Sequence, residues 1–345
     1  MAGRATRLAA MDAFELSRGF QPACVVIAGA ELDVFTILHA RPMSAAQLAK
    51  RIKGDQRATT ILLDALASMC LLAKKGDAGG KSCGVSSTYS VPPRVAEVLT
   101  ETGSRCILGM VRHQGNCLRR WGQLASVVLS GKPVAREVSV RGAKEDLASF
   151  IRAMHEISEP MASPLIKSLG PLKFKHLLDL GGASGTWTIP FLHLYPRAKA
   201  TIFDLPDVIT MARRLMKKAG LAKRVRLVPG SFYTDELPVG TDLAWVSAIV
   251  HQNSRAQNRA MFAKVFAALT PGGRILIRDI VMDPTRTRPP MGAFFAVNML
   301  VAVPRGGTFT FNELREDLAA TGFVGVKYLR HGQWMDSVLA ATKPE

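Results

Sequence analysis

Long apolar runs are missing from this 345-residue sequence, and acidic residues are in short supply. No stretch approaches the roughly 20 apolar residues that a helix needs to cross a bilayer. The longest, residues 293–303, is interrupted by Asn298 and stopped by Pro304, which reads as a buried helix. The opening segment, MAGRATRLAAMDAFELSRG, has no apolar core followed by a cleavage site. The expectation is therefore a cytoplasmic protein with no membrane partner. There is no internal repeat. The five cysteines (Cys24, Cys70, Cys83, Cys106 and Cys117) contain no C-x-x-C pair and all precede residue 120. That pattern argues against a zinc site and for reduced thiols, so no metal is expected. Twenty-seven acids against 45 Lys and Arg leave a formal charge of +18. Such a field attracts nucleic acid, acidic membranes or anionic substrates. The bases are scattered in short clusters such as Arg213-Arg214 and Lys217-Lys218, without a long basic tail, so charge alone names no partner.

What the sequence does have is concentrated in HLLDLGGASGTWTIPFLHLYPRAKATIFDLP, residues 176–206. An apolar run meets the loop Gly181-Gly182-Ala183-Ser184-Gly185; a helical pattern follows to Tyr195, and a second apolar run ends in Asp204. Strand, glycine turn, helix, strand and acid make a nucleoside-cofactor unit: glycines let the backbone approach a ligand, and the acid accepts from ribose hydroxyls. Asp204 also stands where it can cap the helix entered at Pro206. Further on, alternating apolar runs (225–228, 243–250, 275–277, 324–329 and 337–341) and helical segments (207–219, 254–269 and 313–320) predict a doubly wound α/β domain. Capping boxes are read at Ser44/Gln47 and Ser254/Gln257. Two helices and the glycine-rich stretch 76–88, followed by Tyr89-Ser90-Val91, describe a winged helix near the N-terminus.

The loop D-x-G-G-x-S-G with FDLP at 203–206 resembles the class I S-adenosylmethionine (SAM) methyltransferases. More narrowly, the chain is similar to their two-domain small-molecule O-methyltransferases of the plant caffeate and hydroxyindole type. AELDVFTIL (30–38), HQGNCLRRWGQL (113–124), AIVHQNSRAQN (248–258), LTPGGRILIRD (269–279) and ELREDLAATGF (313–323) fall in that family's order. The resemblance implies a Rossmann-like sheet at 171–345, a helical linker and substrate wall at 101–170, and a winged-helix-like dimerisation domain at 1–100. It implies a homodimer, SAM as methyl donor with S-adenosylhomocysteine (SAH) as product, and a small-molecule acceptor. Cofactor contacts carry over to Asp179, Gly181, Gly182, Gly185, Asp204, Leu205, Ser231 and Phe232. His251 is implied as general base with Asp279 as its orienting acid. An apolar acceptor pocket is expected from His113, Phe150 and Met154 on one side and from Phe294, Phe295 and Met299 on the other. Arg286, Arg288 and Arg305 flank the latter and suit an anionic acceptor.

The sequence departs from the family pattern at three places. Ser231 stands where an acid is usual, Gln252 replaces the acid after the histidine, and Thr308 falls where a second orienting acid is expected. An incomplete acid set keeps S-methylation of a thiol or thioether as the alternative. A winged-helix regulator that binds SAM without catalysis is a third reading. The 55–72 helix, with Arg57 as its only base, argues for dimerisation and against nucleic acid.

Overall fold

The computed structural model describes residues 10–76 and 87–345. Most of the glycine-rich stretch expected as the wing, and Cys83 with it, lies outside the described residues. The chain divides into two compact units: residues 1–118 with 137–156, and residues 119–136 with 157–345.

In the first unit, α1 (Ala10–Arg18), α2 (Phe20–Glu31) and α3 (Val34–Ala40) precede a short strand β1 (Met43–Ser44). The Ser44 hydroxyl accepts from the Gln47 backbone, and Gln47 answers with its side chain, so α4 (Ala45–Ile52) starts where the sequence says. Next come α5 (Gln56–Ser68), β2 (Ala73–Lys75), β3 (Thr88–Ser90) and α6 (Pro93–Leu99). The three strands form one antiparallel sheet in the order β1-β3-β2. Phe35, Leu38, Leu48, Leu63, Leu66 and Tyr89 fill the core beneath it. Two long helices, α7 (Leu108–Trp121) and α9 (Ala143–Ser168), each continue from the first unit into the second, with α8 (Leu124–Ser130) between them in sequence. The expected linker at 101–170 is thus shared between the units. Buried Arg112 on α7 ties the first unit together, donating to the Ala30 carbonyl and pairing with Asp33 and Glu101.

In the second unit the apolar runs become β4 (His176–Leu180), β5 (Lys199–Asp204), β6 (Val225–Pro229), β7 (Thr241–Ser247) and β8 (Leu269–Asp279). All five run parallel; β4, β5, β7 and β8 are covered on both faces, which is why they read as largely apolar stretches, while β6 at the edge is only half-buried. The helices α10 (Thr188–Leu194) and α11 (Pro206–Lys218) cover one face, and α12 (Arg255–Ala268) lies on the other. Then follow β9 (Val281–Met282), α13 (Pro290–Ala302), β10 (Phe309–Thr310), α14 (Phe311–Ala319), β11 (Val324–Arg330) and β12 (Ser337–Thr342). β12 inserts antiparallel beside β8, and the seven strands stand in the order β11-β12-β8-β7-β4-β5-β6. The winding direction reverses at β4, with β5 on one side and β7 on the other. Ligands bind at the carboxyl ends of the strands at such a point.

Three expectations need correction. β7 ends at Ser247, not at residue 250; Ala248 takes a left-handed φ of 59°, and Val250–Gln252 form a 3-10 turn. The strand expected at 275–277, with Pro271-Gly272-Gly273 as the turn before it, begins at Leu269 beside Thr241, so those three residues lie inside β8. The apolar helix α13 is not buried throughout: Gly292, Met299 and Val301 are, while Phe294 is 59% exposed. Among the described residues no single helix is long and apolar enough to cross a membrane.

Candidate active site

The glycine loop leaves β4 and turns back under two constraints. Gly181 has φ +62°, and its N–H donates to the Phe203 carbonyl on β5. Gly182 packs so closely on Asp179 that a Cβ would lie 2.7 Å from the carboxyl carbon. Only glycine admits that approach. Gly185 closes the turn with its N–H on the Gly182 carbonyl at 2.7 Å. Asp204, at the end of β5, holds the loop from the side: one carboxylate oxygen accepts from Ala183 N–H and the other from Leu205 N–H, each at 2.7 Å. Burial raises its pKa while those two donors oppose the rise. Leu205 is exposed beside it.

Asp179 is buried and accepts from the Thr188 hydroxyl at 2.6 Å. Burial pushes its pKa up to about 7, and the neighbouring Asp204 carboxylate adds to the rise. A carboxyl that stays half-protonated near neutrality is poised to ionise when a cation arrives. Ser231 is taken up in its own turn: its N–H donates to Asp235, and its hydroxyl accepts from Tyr233 N–H. Phe232 is half-buried against the core, with its ring edge toward Gly181.

His251 sits on the turn after β7, one strand from the loop, and Ile249 just before it packs on Gly181. Its Nδ1 lies 3.0 Å from both carboxylate oxygens of Asp279 at the end of β8, and both residues are buried. Nδ1–H therefore donates to the acid, leaving the lone pair on Nε2, which carries no hydrogen bond among the described residues. The Phe295 ring of α13 meets the imidazole edge-to-face at 4.8 Å. Gln252 turns its amide back to the Ala248 carbonyl. Thr308 is buried on a segment anchored to the turn by Gly307 N–H on the His251 carbonyl. Sequence reasoning missed Asn253 and Asn258. Asn253 donates to Asn258, Asn258 donates to the Val250 carbonyl, and Tyr233 caps Asn253. Both asparagines are fully buried and pin the turn that carries His251. Local sequence held no signal for this, since either asparagine reads as an ordinary helix-start residue.

The expected pocket residues fall in both units. His113 and Phe150 lie in the first, their ring centroids 5.0 Å apart, and Met154 is one turn along α9 from Phe150. Phe294 and Met299 lie on α13 in the second. Of the three flanking arginines, Arg286 is engaged with Glu313 and the Thr308 carbonyl, while Arg288 and Arg305 are exposed. Among the described residues no group of three or more His, Cys, Asp or Glu gathers as a metal site. A cavity of about 570 Å3 opens elsewhere, lined by Val281, Asp283, Arg288, Tyr328 and His331 among others. Neither the glycine loop nor His251 borders it; the buried His251–Asp279 pair and the glycine loop stand together at the carboxyl edge of the sheet.

The O-methyltransferase domain profile matches residues 129–324, and the O-methyltransferase dimerisation domain profile matches residues 14–92. The chain belongs to the O-methyltransferase family. It is 28% identical over 321 residues to the tetracenomycin polyketide synthesis 8-O-methyl transferase TcmO of Streptomyces glaucescens, covering 92% of each chain. Among solved structures, human N-acetylserotonin methyltransferase in complex with SAM matches with a TM-score of 0.78 at 23% identity, covering all of both chains. PigF with SAH matches with a TM-score of 0.84 at 22% identity, covering 97% of this chain and 100% of that one. At these identities the structural likeness is one of fold. The chain is a methyltransferase of the SAM-dependent class that acts on small molecules. The close backbone approach at Gly182 and the acid at the end of β5 fit that cofactor.

Proposed function

We propose that this O-methyltransferase moves a methyl group from SAM to a hydroxyl of a small, anionic organic acceptor, with His251 as general base and Asp279 holding its tautomer. The observation that carries the reading is the buried His251–Asp279 pair, placed with Nε2 free at the strand edge that also bears the glycine loop. When bound, SAM supplies a methyl already activated on a sulfonium. The chain's residues then hold the cofactor at Asp179, Gly181, Gly182, Gly185 and Asp204, with Leu205, Ser231 and Phe232 beside the adenosine. Asp279 keeps the proton on Nδ1, so Nε2 takes the proton of the acceptor hydroxyl. A phenol titrates near pH 10 and free imidazole near 6.5, so complete prior proton transfer would cost about 5 kcal/mol. Moving the proton to His251 as the methyl transfers avoids that cost. Phe294, Phe295 and Met299 on α13 wall the His251 side. Arg305 suits an acceptor carboxylate, since Arg286 is already committed and Arg288 lines the separate cavity. A screen of phenols with and without a carboxylate, read by SAH release, tests the acceptor class. Methylation of thioethers alone would overturn it.

Asp179 makes cofactor binding depend on pH. Its carboxyl in the free protein titrates at about 7 because of burial. SAM carries a sulfonium and an ammonium, which favour the carboxylate and lower that value on binding. Binding below pH 7 therefore expels a proton, and affinity falls as the medium is acidified. Calorimetric titrations at pH 6, in buffers of different ionisation enthalpy, are expected to show release of up to about one proton per SAM. Heats independent of buffer would remove Asp179 from the cofactor site.

The dimerisation-domain match spans α1, α2 and α5, where Phe14, Leu16, Phe20 and Ile61 are exposed. Exposed apolar clusters of this kind mark interfaces. The working form is a homodimer, and sedimentation at low micromolar concentration is expected to give twice the chain mass. An active monomer would overturn this.

A further inference from the structure

Side chains alternate along a strand, and Leu177, Trp245 and Leu276 share one core face of the sheet. Two residues further along their strands, Asp179, Ser247 and Arg278 must share that face at the carboxyl ends of β4, β7 and β8, three neighbours in the sheet. Arg278 is 3% exposed, yet every partner it has is neutral. Nη1 donates to the Ser247 hydroxyl at 2.8 Å, and Nη2 approaches the Met161 sulfur at 3.7 Å. Its buried Nε has no partner. The guanidinium stacks over the Trp187 ring at 4.3 Å, two residues past the last glycine of the loop. It forms no ion pair among the described residues, and burial pulls its pKa down to about 10. Asp279 and Asp336 favour its charge through space, but neither bonds to it; a buried cation with no directly paired anion is costly and suits an anion that arrives with a ligand.

The geometry points to Arg278 as the residue that receives the amino-acid carboxylate of the cofactor, with Ser247 positioning its fork. This rests on the SAM reading above and deepens it. The amino-acid end of SAM carries an ammonium and a carboxylate. Asp179 on β4 offers the negative charge and Arg278 on β8 the positive one, on a single face. The next residue, Asp279, points to the opposite face and serves His251, so an acceptor carboxylate belongs to a different side of the sheet.

Calorimetric titration with SAH and with its decarboxylated analogue, which keeps the ammonium and the adenosine, tests the assignment. The wild type is expected to prefer SAH by about 10- to 100-fold, the range for a hydrogen-bonded charge. R278M replaces the buried charge by an apolar side chain of similar length and is expected to fold without loss of melting temperature. It should bind both ligands alike, at the level of the wild type with the analogue. R278Q, polar but uncharged, is expected to behave the same way and serves if R278M does not accumulate. Retained preference in the variants would place the carboxylate elsewhere. An equal loss for both ligands would make Arg278 a support of the loop. If the wild type binds neither ligand, the cofactor reading itself falls, and this assignment with it.

Discussion

Replacing His251 by alanine is expected to lower turnover by about a hundredfold or more while leaving SAM affinity unchanged. The imidazole is buried, its Nδ1 is held at 3.0 Å from both Asp279 oxygens, and Nε2 is left for the acceptor. Its nearest ring neighbour is Phe295, so the alanine variant opens a small space beside α13 and disturbs nothing in the glycine loop. Asp279→Asn should also lower turnover strongly, because the Ile280 N–H claims the amide oxygen and leaves the NH2 to donate to Nδ1, which puts the proton on Nε2 and removes the base. The wild-type rate should fall at acid pH, since a protonated imidazole has no lone pair to offer. Turnover, SAM affinity by calorimetry and the pH–rate profile decide the matter together. Near-normal turnover in His251→Ala with a flat wild-type profile would mean an acceptor that is already nucleophilic, such as a thioether sulfur.

Asp204→Ala is expected to weaken SAM and SAH binding by about 10- to 100-fold, corresponding to the 1.5–3 kcal/mol typical of hydrogen bonds to a charged group. Two effects run in the same direction. In the proposed cofactor site the carboxylate would accept from the ribose at the end of β5, and it fixes the glycine loop through Ala183 N–H. Ala183 holds a φ of 46°, a conformation that a residue with a Cβ tolerates only when its surroundings impose it. Without Asp204 the loop has less reason to stay in the shape that admits a nucleoside. The apolar faces of β4 and β5 do not depend on this side chain, so the circular dichroism spectrum should be preserved. Affinity equal to wild type would reduce Asp204 to a fixture of the loop.

Several parts of this protein are determined over short stretches of sequence, where the physics is local. The strand, glycine loop, helix, strand and acid of 176–206 form as read, because turn chemistry and apolar runs act within a few residues. The Ser44/Gln47 and Ser254/Gln257 capping boxes close for the same reason, each within a single helical turn. Asp279 as the partner of His251 came from motif order; the contact itself, across 28 residues, exists only because β7 and β8 are neighbours in the sheet.

Other features were decided by the tertiary structure alone. Nothing in the run RILIRD marks Arg278 as buried; insertion of β12 and packing against Trp187 bury it. Pro271-Gly272-Gly273 reads as a turn, but pairing with β7 draws it into β8. The end of β7 shifted because Asn253 and Asn258 bind the chain that follows it, a network no periodicity encodes. Local propensity and hydrophobic period settle where elements form. Which polar side chains are buried, and against what, depends on the order of strands in the sheet, and that order is set by packing across the whole domain.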